Sequence, residues 1–126
     1  RRVYTSRETA VVPDDSSGHG PGHTFDRTAA YLAGRFAAKE AVYKALRYPR
    51  SQPLPWTDIE VLADDEGWPQ VRLHGRARTH AEATDVTSVE VSITHDGDSA
   101  VAVAIAHRPP RDVAVTHEDL RGDITP

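Results

Sequence analysis

A long alanine-rich segment between Asp26 and Leu46 constrains the fold of this chain more than any other feature. Asp26 or Thr28 can cap the N-terminus of a helix, and the alanines that follow favour helix throughout the segment. Apolar residues at helical spacing are Leu32, Phe36, Tyr43 and Leu46. The segment therefore predicts a central helix that packs one stripe of side chains into a core.

The charged residues of this helix have an unusual distribution. At about 100° per residue, Lys39 falls within the apolar stripe, and Arg35 and Glu40 flank it. The opposite face predicts close packing against a second surface, because its residues are Ala30, Ala37, Ala41 and Ala45. An ordinary i,i+4 ion pair between Glu40 and Lys44, worth roughly a few tenths of a kcal/mol, is one interpretation. The other is a carboxylate that binds a hard cation, with lysines on the same helix that grip phosphate.

The part of the chain after Pro49 predicts two hairpins. Segments of alternating apolar residues are 57–63, 70–74, 88–94 and 100–106. The acidic, glycine-containing stretches 64–67 and 96–98 read as turns, and a short helix over 77–83 separates the hairpins. We expect the last strand, where valine and isoleucine alternate with alanine, to be buried on both faces. This order predicts an α+β fold with an antiparallel sheet packed on a long central helix.

The flanking segments carry weaker signals. Thr5 and Glu8 have the spacing of a capping box and predict a single helical turn. Residues 13–23 read as a loop, so His19 and His23 are interpreted as loop histidines and not as a metal-binding pair. We expect one domain over residues 1–107 and a tail over 108–126.

Composition excludes several classes of protein. The chain has 126 residues, which is one domain by size, and it has no cysteine and therefore no disulfide, thiolate nucleophile or cysteine-bound metal. A net charge of -4 argues against binding nucleic acid through its phosphates. No apolar run approaches the roughly 20 residues of a membrane span, and no signal peptide is visible. We expect a cytoplasmic protein with no nucleic-acid or membrane partner.

Two further positions could carry chemistry. His95 ends a predicted strand and opens a turn, where it can hydrogen-bond a phosphate or shuttle a proton, although a turn histidine without a task is equally open. Gly67, Trp68 and Pro69 close the first hairpin, and their ordinary interpretation is turn chemistry with a surface-packing tryptophan.

These pieces together resemble one enzyme family. Residues 35–46, Arg-Phe-Ala-Ala-Lys-Glu-Ala-Val-Tyr-Lys-Ala-Leu, look like the signature helix of 4′-phosphopantetheinyl transferases of the holo-acyl-carrier-protein synthase type. Residues 3–8 resemble the phenylalanine-threonine-x-x-glutamate stretch that precedes that helix, and 58–61 with 67–77 resemble the middle hairpin and its following helix. The strand end Ser-Ile-Thr-His at 92–95 resembles the closing hairpin, so the resemblance covers about residues 3–106.

The resemblance implies a reaction. The family transfers the 4′-phosphopantetheine arm of coenzyme A to a serine of an apo acyl carrier protein and releases adenosine 3′,5′-bisphosphate. It implies Mg²⁺, a homotrimer with active sites between subunits, and a role in fatty-acid or polyketide synthesis. The resemblance does not decide between a fatty-acid and a polyketide carrier protein. The serine proton could pass to a water on the magnesium ion or to Glu40 itself.

The resemblance also implies roles for individual residues. Glu40 would be a catalytic residue and magnesium ligand, Lys44 would contact the pyrophosphate, and His95 would also face the phosphates. Arg35 and Lys39 would add positive potential near the nucleotide. The adenine pocket would be bordered by Gly67, Pro69, Ile93 and Thr94.

One departure from the family lies at the start of the chain. The family begins with a strand whose glycine-x-aspartate motif supplies a second metal ligand, followed by a basic helix that docks the carrier. Nothing similar precedes Arg1, and the sequence has no methionine, so we expect an N-terminal strand and helix of the protein to be missing from this sequence. Two alternatives to the enzyme are a non-catalytic or repurposed family member that binds a carrier protein or coenzyme A, and an unrelated small module with such a binding role.

Overall fold

The computed structural model describes residues 2–10 and 27–110, which form three helices and four strands. Its elements are α1 (Ser6–Ala10), α2 (Arg27–Ala45), a 3-10 turn (Trp56–Asp58), β1 (Ile59–Ala63), β2 (Pro69–Leu73), α3 (Gly75–Ala83), β3 (Ser88–Asp96) and β4 (Ser99–His107). The predicted loop over 13–23, with His19 and His23, and the tail beyond 110 lie outside the described residues. No helix in the described ranges is long and apolar enough to cross a bilayer.

The predicted order of elements is confirmed, and the fold is α+β. The strands form two antiparallel pairs, β1 with β2 and β3 with β4, and β2 lies against β3. The register sets Val61 opposite Val71 and Ser92 opposite Val103. Helix α2 packs across β4, β3 and β1, so it is the element that every strand pair shares.

The core is small and is built around the C-terminal half of α2. Its buried members are Val42, Leu46, Ile59, Ala77 and Ala81. Phe36 and Tyr43 of the predicted apolar stripe are only half-buried, and their rings contact Trp56 at centroid distances of 5.3 and 5.8 Å. The stripe therefore packs on the 3-10 turn as well as on the core.

Strand β4 corrects one expectation, because it is not buried on both faces. Its alanines point towards α2, whereas Val101, Val103 and Ile105 are 65%, 59% and 54% exposed. Alternation along a strand forces this result, since a two-stranded ribbon that packs one face on a helix leaves the other face open. The alanine face of α2 does face a second surface, the alanine face of β4, but close packing is not made along its length, because Ala37, Ala41 and Ala45 are only half-buried and line a groove between the two elements.

The capping box of α1 is present and orients a buried carboxylate. The Thr5 amide donates to Glu8 Oε1 at 2.8 Å, and the Glu8 amide donates to Thr5 Oγ1 at 3.2 Å. The Glu8 side chain is fully buried, and its Oε2 accepts a hydrogen bond from the Val61 amide at 2.9 Å. A single turn of helix is therefore tied to β1 through one side chain.

Lys39 of α2 meets this carboxylate inside the protein. Its side chain has no exposed surface, and Lys39 Nζ lies 2.8 Å from Glu8 Oε1. The ammonium group also donates to the carbonyl oxygen of Trp56 at 3.0 Å and to that of Ile59. Burial lowers the pKa of Lys39 below its ordinary value of 10.5, and the hydrogen bond and charge of Glu8 act in the opposite direction. One lysine therefore joins α2 to α1, to the 3-10 turn and to β1.

Glu60 on β1 is a second buried carboxylate, and it faces the same side of the fold as α1. Thr5 Oγ1 donates to its Oε2 at 2.5 Å, and Arg7 and His74 approach its Oε1 at 2.6 and 3.0 Å. Burial alone would raise the pKa of Glu60, but the hydrogen bonds from Thr5 and His74 and the charge of Arg7 outweigh burial and hold the pKa below its ordinary value of 4.5.

We predict that Lys39→Met will destabilise the protein by about 3–5 kcal/mol, because it leaves the Glu8 carboxylate buried without its cation. The double variant Glu8→Gln/Lys39→Met removes both charges and should recover a large part of that loss. Denaturant titrations of the free energy of unfolding measure both effects. A loss below about 1 kcal/mol for Lys39→Met would contradict the anchoring role of this pair.

We predict that the free energy of unfolding will decrease as the pH falls below about 4.5, in part because Glu60 is protonated there. A carboxyl group whose pKa is lowered by folding contributes stability above its unfolded pKa, and that stability is lost as the pH falls towards the folded pKa. Glu60→Gln should flatten this part of the profile, whereas Glu66→Gln in the exposed hairpin turn should not. Equal acid slopes for wild type and Glu60→Gln would refute the assignment.

Candidate functional site

A groove between α2 and β4 brings together the two strongest candidates from the sequence. The groove has a volume of about 660 Å³, and its walls are mostly alanine. Its lining residues are Ala33, Phe36, Ala37, Glu40, Ala41, Lys44, Ala45, Ala100, Ala102 and Ala104. Glu40 and Lys44 are the charged members of this lining, one turn apart on the same face of α2. Small side chains around them leave room for a ligand.

Glu40 and Lys44 do not neutralise each other. In the described part of the chain, neither side chain forms an ion pair or hydrogen bond, so the i,i+4 pair is not made. Glu40 is half-buried and Lys44 is exposed. A carboxylate and an ammonium group that both remain free beside one groove can bind, respectively, a cation and a phosphate.

Lys39 does not lie in the groove with Glu40 and Lys44. We expected it near the nucleotide, but its ammonium group is fully buried on the Glu8 side of α2 and is held by Glu8 and two carbonyl oxygens. Direct contact with a ligand in the groove does not fit this position. The physical reason is the helical stripe itself, since a lysine within the apolar stripe points into the protein.

His95 lies at the N-terminal half of α2 and not in the lining of the groove. Its Nε2 is 3.0 Å from the carbonyl oxygen of Ala30, and because a carbonyl only accepts hydrogen bonds, Nε2 carries the proton and Nδ1 is the free nitrogen. In the β3–β4 register His95 pairs with Ala100, which does line the groove. The imidazole is therefore fixed in orientation at one end of this region.

Gly34 is a positioning residue that sequence reasoning missed. A Cβ atom at this position would lie 2.7 Å from His95 Nε2 and 3.2 Å from Ile93 Cγ2. The absence of a side chain is what lets β3 approach α2 so closely. A glycine in the middle of an alanine-rich helix, where it costs about 1 kcal/mol, was the available signal.

Arg35 carries an unsatisfied group. Its guanidinium lies over the ring of Tyr31 at 4.5 Å, and its Nε is buried without a hydrogen-bond partner among the described residues. The Tyr31 hydroxyl is likewise buried and unpaired there. Arg35 is not part of the lining around Glu40.

The predicted adenine residues lie elsewhere on the chain. Pro69 lines a second groove, of about 700 Å³, between β2 and β3, and Gly67 forms the adjacent turn with a φ of +93°. Ile93 faces α2, whereas Thr94 lies on the opposite, exposed face of β3. A single chain therefore does not gather all the predicted site residues around one cavity.

The described residues do not supply a complete set of metal ligands either. Within residues 2–10 and 27–110, no group of three or more histidine and acidic side chains is arranged to hold a metal ion. Glu40 alone fits a magnesium ion that takes its other ligands from water and from substrate phosphates.

Comparison with known proteins identifies the family. A model of the 4′-phosphopantetheinyl transferase superfamily matches residues 1–116. The holo-[acyl-carrier-protein] synthase of Natranaerobius thermophilus is 55% identical over 75 residues, which are 60% of this chain and 59% of that protein. That of Desulfovibrio desulfuricans is 51% identical over 78 residues, 62% of this chain and 63% of that protein. The chain thus spans about three fifths of the length of these curated relatives.

Solved structures agree with the sequence relatives. The acyl carrier protein synthase of Mycobacterium tuberculosis superposes with a TM-score of 0.62 at 37% identity, over 85% of this chain and 82% of that one. A complex of the Chronobacterium ammoniagenes synthase with coenzyme A gives a TM-score of 0.64 at 29% identity, over 86% of this chain and 79% of that one.

The resemblance read from the sequence is therefore confirmed. The chain belongs to the 4′-phosphopantetheinyl transferase superfamily and is of the holo-acyl-carrier-protein synthase type.

Proposed function

We propose that this protein transfers 4′-phosphopantetheine from coenzyme A to the serine of an apo acyl carrier protein and releases adenosine 3′,5′-bisphosphate. The observation that carries the proposal is the pair of unneutralised charges, Glu40 and Lys44, beside an alanine-walled groove on the signature helix. A relative of known structure was solved as a complex with coenzyme A, which supports this molecule as the donor.

The groove suits the chemistry of phosphoryl transfer. The serine Oγ forms a bond to the β-phosphorus of coenzyme A, and the bond from that phosphorus to the bridging oxygen breaks. Negative charge then grows on the leaving phosphate. Lys44 stabilises that charge from a rigid helix, so its ammonium group needs little reorganisation as the reaction proceeds.

Glu40 would hold the magnesium ion. When bound, magnesium neutralises the phosphate oxygens and orients them for attack. Lys44 lies on the next turn, and its positive charge offsets the repulsion between the Glu40 carboxylate and an anionic substrate. If Glu40 instead accepts the serine proton, the same carboxylate is required, and one substitution tests both roles.

His95 would contact the phosphates through its free nitrogen. Because Nε2 donates to Ala30, only Nδ1 can bind a ligand, and in the protonated ring Nδ1 is a donor that suits a phosphate oxygen. The Arg35 guanidinium, which lies over the Tyr31 ring at 4.5 Å, would add positive potential near the nucleotide. Gly67 and Pro69, with the backbone at Ile93 and Thr94, would border the adenine.

We expect several copies of the chain to complete each site. The predicted residues lie around separate cavities of one chain, and the outer face of β4 exposes Val101, Val103 and Ile105. A homotrimer, as the family resemblance implies, would cover that apolar face and could bring Pro69 of one copy near Glu40 of another.

The cytoplasm, where coenzyme A and carrier proteins meet, is the proposed location.

Glu40→Gln and Lys44→Ala are each predicted to lower kcat about 100-fold or more, because each removes a charge that acts on the developing phosphate charge. The assay follows the mass of an apo acyl carrier protein in the presence of coenzyme A and Mg²⁺. Circular dichroism should show an unchanged fold, since neither side chain has a partner within the described chain. Glu82→Gln, on the surface of α3, is the matched control and should retain the wild-type rate. Full activity of Glu40→Gln would remove it from the site.

Gly34→Ala is predicted to lower kcat about 10-fold or more, because the added methyl group must displace His95 or Ile93. Alanine is otherwise favoured in a helix by about 1 kcal/mol, so an effect on the rate without a large loss of stability would identify displacement of the imidazole. The same mass assay, with thermal unfolding in parallel, measures both quantities. Wild-type kinetics for Gly34→Ala would show that the close approach has no functional role.

A further inference from the structure

Trp68, at the end of the β1–β2 turn, is a large apolar side chain that this chain leaves in solvent. It is 66% exposed. A tryptophan side chain normally buries a large surface, of about 150–250 Å², and so contributes much of the packing energy around it. Packing on this chain therefore accounts for only a small part of what the Trp68 ring can contact.

The backbone of Trp68 is held rigidly by Asp64. The Trp68 amide donates to Asp64 Oδ1 at 2.9 Å, and the Trp68 carbonyl oxygen accepts from the Asp64 amide at 2.8 Å. Asp64 Oδ1 also accepts from the Glu66 amide at 2.9 Å, and Gly67 supplies the φ of +93° in the same turn. A ring on so fixed a backbone loses little conformational entropy when a ligand packs against it.

The ring borders the cavity of about 700 Å³ between β2 and β3, which we call the β2–β3 groove. Besides Trp68 and Pro69, the lining has apolar and charged members, which are Val71, Val89 and Val91 and Asp64, Arg72 and Glu90 respectively. Two acids and one base give this lining no excess of positive charge, so it is poorly suited to a phosphate. A neutral group that packs on apolar atoms fits it better.

The adenine ring is the part of coenzyme A that fits this lining. The pyrophosphate and the 3′-phosphate are anions, and the pantetheine arm is a flexible chain that gains less from a flat aromatic wall. Adenine is neutral and planar, and a nucleobase stacks well on an aromatic side chain.

The β2–β3 groove also lies beside the surface that a second copy is expected to cover. Glu90 of its lining is opposite Ile105 in the β3–β4 register, and Ile105 belongs to the exposed apolar face of β4. Residues that pair across two strands share one face of the ribbon. An adenine in the groove is therefore compatible with a pyrophosphate held by Glu40 and Lys44 of another copy.

We propose that Trp68 stacks on the adenine ring of coenzyme A and so determines the affinity of the protein for its nucleotide. This inference rests on the proposed function for the identity of the ligand. The family resemblance assigns Gly67 and Pro69 to the border of the adenine pocket, and the inference adds the side chain between them as the group that binds the ring. Trp68 acts in binding and takes no part in the transfer itself.

The binding test compares Trp68→Ala and Trp68→Phe with the wild-type protein. The probe is adenosine 3′,5′-bisphosphate with Mg²⁺, and calorimetry measures its Kd. Trp68→Ala should raise the Kd about 10-fold, whereas Trp68→Phe keeps an aromatic face and should stay within about 3-fold of wild type. Glu66→Ala, in the same turn but outside the lining of the groove, is the matched control and should bind as wild type does. Thermal unfolding should be unchanged in all three variants, because the two side chains are exposed.

Tryptophan fluorescence gives a readout that a purely structural role would not move. The chain has two tryptophans, Trp56 and Trp68. Adenosine 3′,5′-bisphosphate should quench the emission of wild type, and most of this change should be absent from Trp68→Phe although that variant still binds. Equal quenching in wild type and Trp68→Phe would place the effect on Trp56 and overturn the proposal.

Steady-state kinetics separates the proposal from its alternatives. The KM for coenzyme A should rise in Trp68→Ala while kcat and the KM for the carrier stay unchanged, because stacking is the same before and during the transfer. A rise in the KM for the carrier alone would assign Trp68 to that protein and overturn the proposal. An unchanged Kd in Trp68→Ala, with a loss of oligomeric mass, would assign Trp68 to a contact between copies and also overturn it.

The same experiments distinguish failure of this inference from failure of the proposed function. If wild type binds adenosine 3′,5′-bisphosphate through Trp68 but transfers nothing to a carrier, the stacking stands and the proposed activity fails. If wild type transfers phosphopantetheine and Trp68→Ala keeps the wild-type Kd and KM values, the activity stands and the stacking is refuted. Absence of any binding of the bisphosphate to wild type refutes the stacking as well.

Discussion

The buried ion pair between Glu8 and Lys39 is the interaction on which the rest of this structure depends. Removing two charges from water is costly, and the protein offsets the cost with 2.8 Å contact, a capping box around Glu8 and two carbonyl acceptors for the lysine. The network ties α2 to α1, the 3-10 turn and β1 at one point. Because α2 is rigid, fixing Lys39 also fixes the directions of its neighbours on the helix.

The adjacent residues Lys39 and Glu40 of α2 therefore have different roles. Lys39 points inward and holds the fold together, while Glu40 is rotated by about 100° and lines the groove together with Lys44. The alanines on the same side of α2, and those of β4 across from them, keep the groove open. Gly34 lets β3 lie close to α2, because a side chain at this position would collide with His95. The site thus arises from the distribution of small and charged residues around one helix.

The sequence alone predicts most of the fold, because its local signals are strong. The strands and the alanine-rich helix are predicted by patterns within a few residues, as are the acidic turns, and the capping box of Thr5 and Glu8 is predicted by its spacing. The partner of Glu8 could not be predicted in this way, because the Glu8–Lys39 contact spans 31 residues of chain and depends on how the elements pack. The family resemblance implied that Lys39 lies near the nucleotide, whereas its place in the apolar stripe already indicated the interior position in which it is found.

The exposed face of β4 has a similar explanation. Alternating valine and alanine is compatible with burial on both sides, and only the packing of α2 shows which face the chain itself covers. Among the candidate site residues, proximity of Glu40 to Lys44 could be predicted because both lie on one helix. The relation of His95, Pro69 and Gly67 to that pair could not be predicted, since His95 belongs to one hairpin and Gly67 and Pro69 to the other, and Pro69 lines a cavity other than the groove.

We propose that the α2–β4 groove receives the phosphates of coenzyme A. A crystal structure of the protein with coenzyme A and Mg²⁺ tests it most directly. We expect the pyrophosphate beside Glu40 and Lys44, with Lys39 still buried against Glu8. A pyrophosphate bound away from this groove, with both side chains left in solvent, would contradict it.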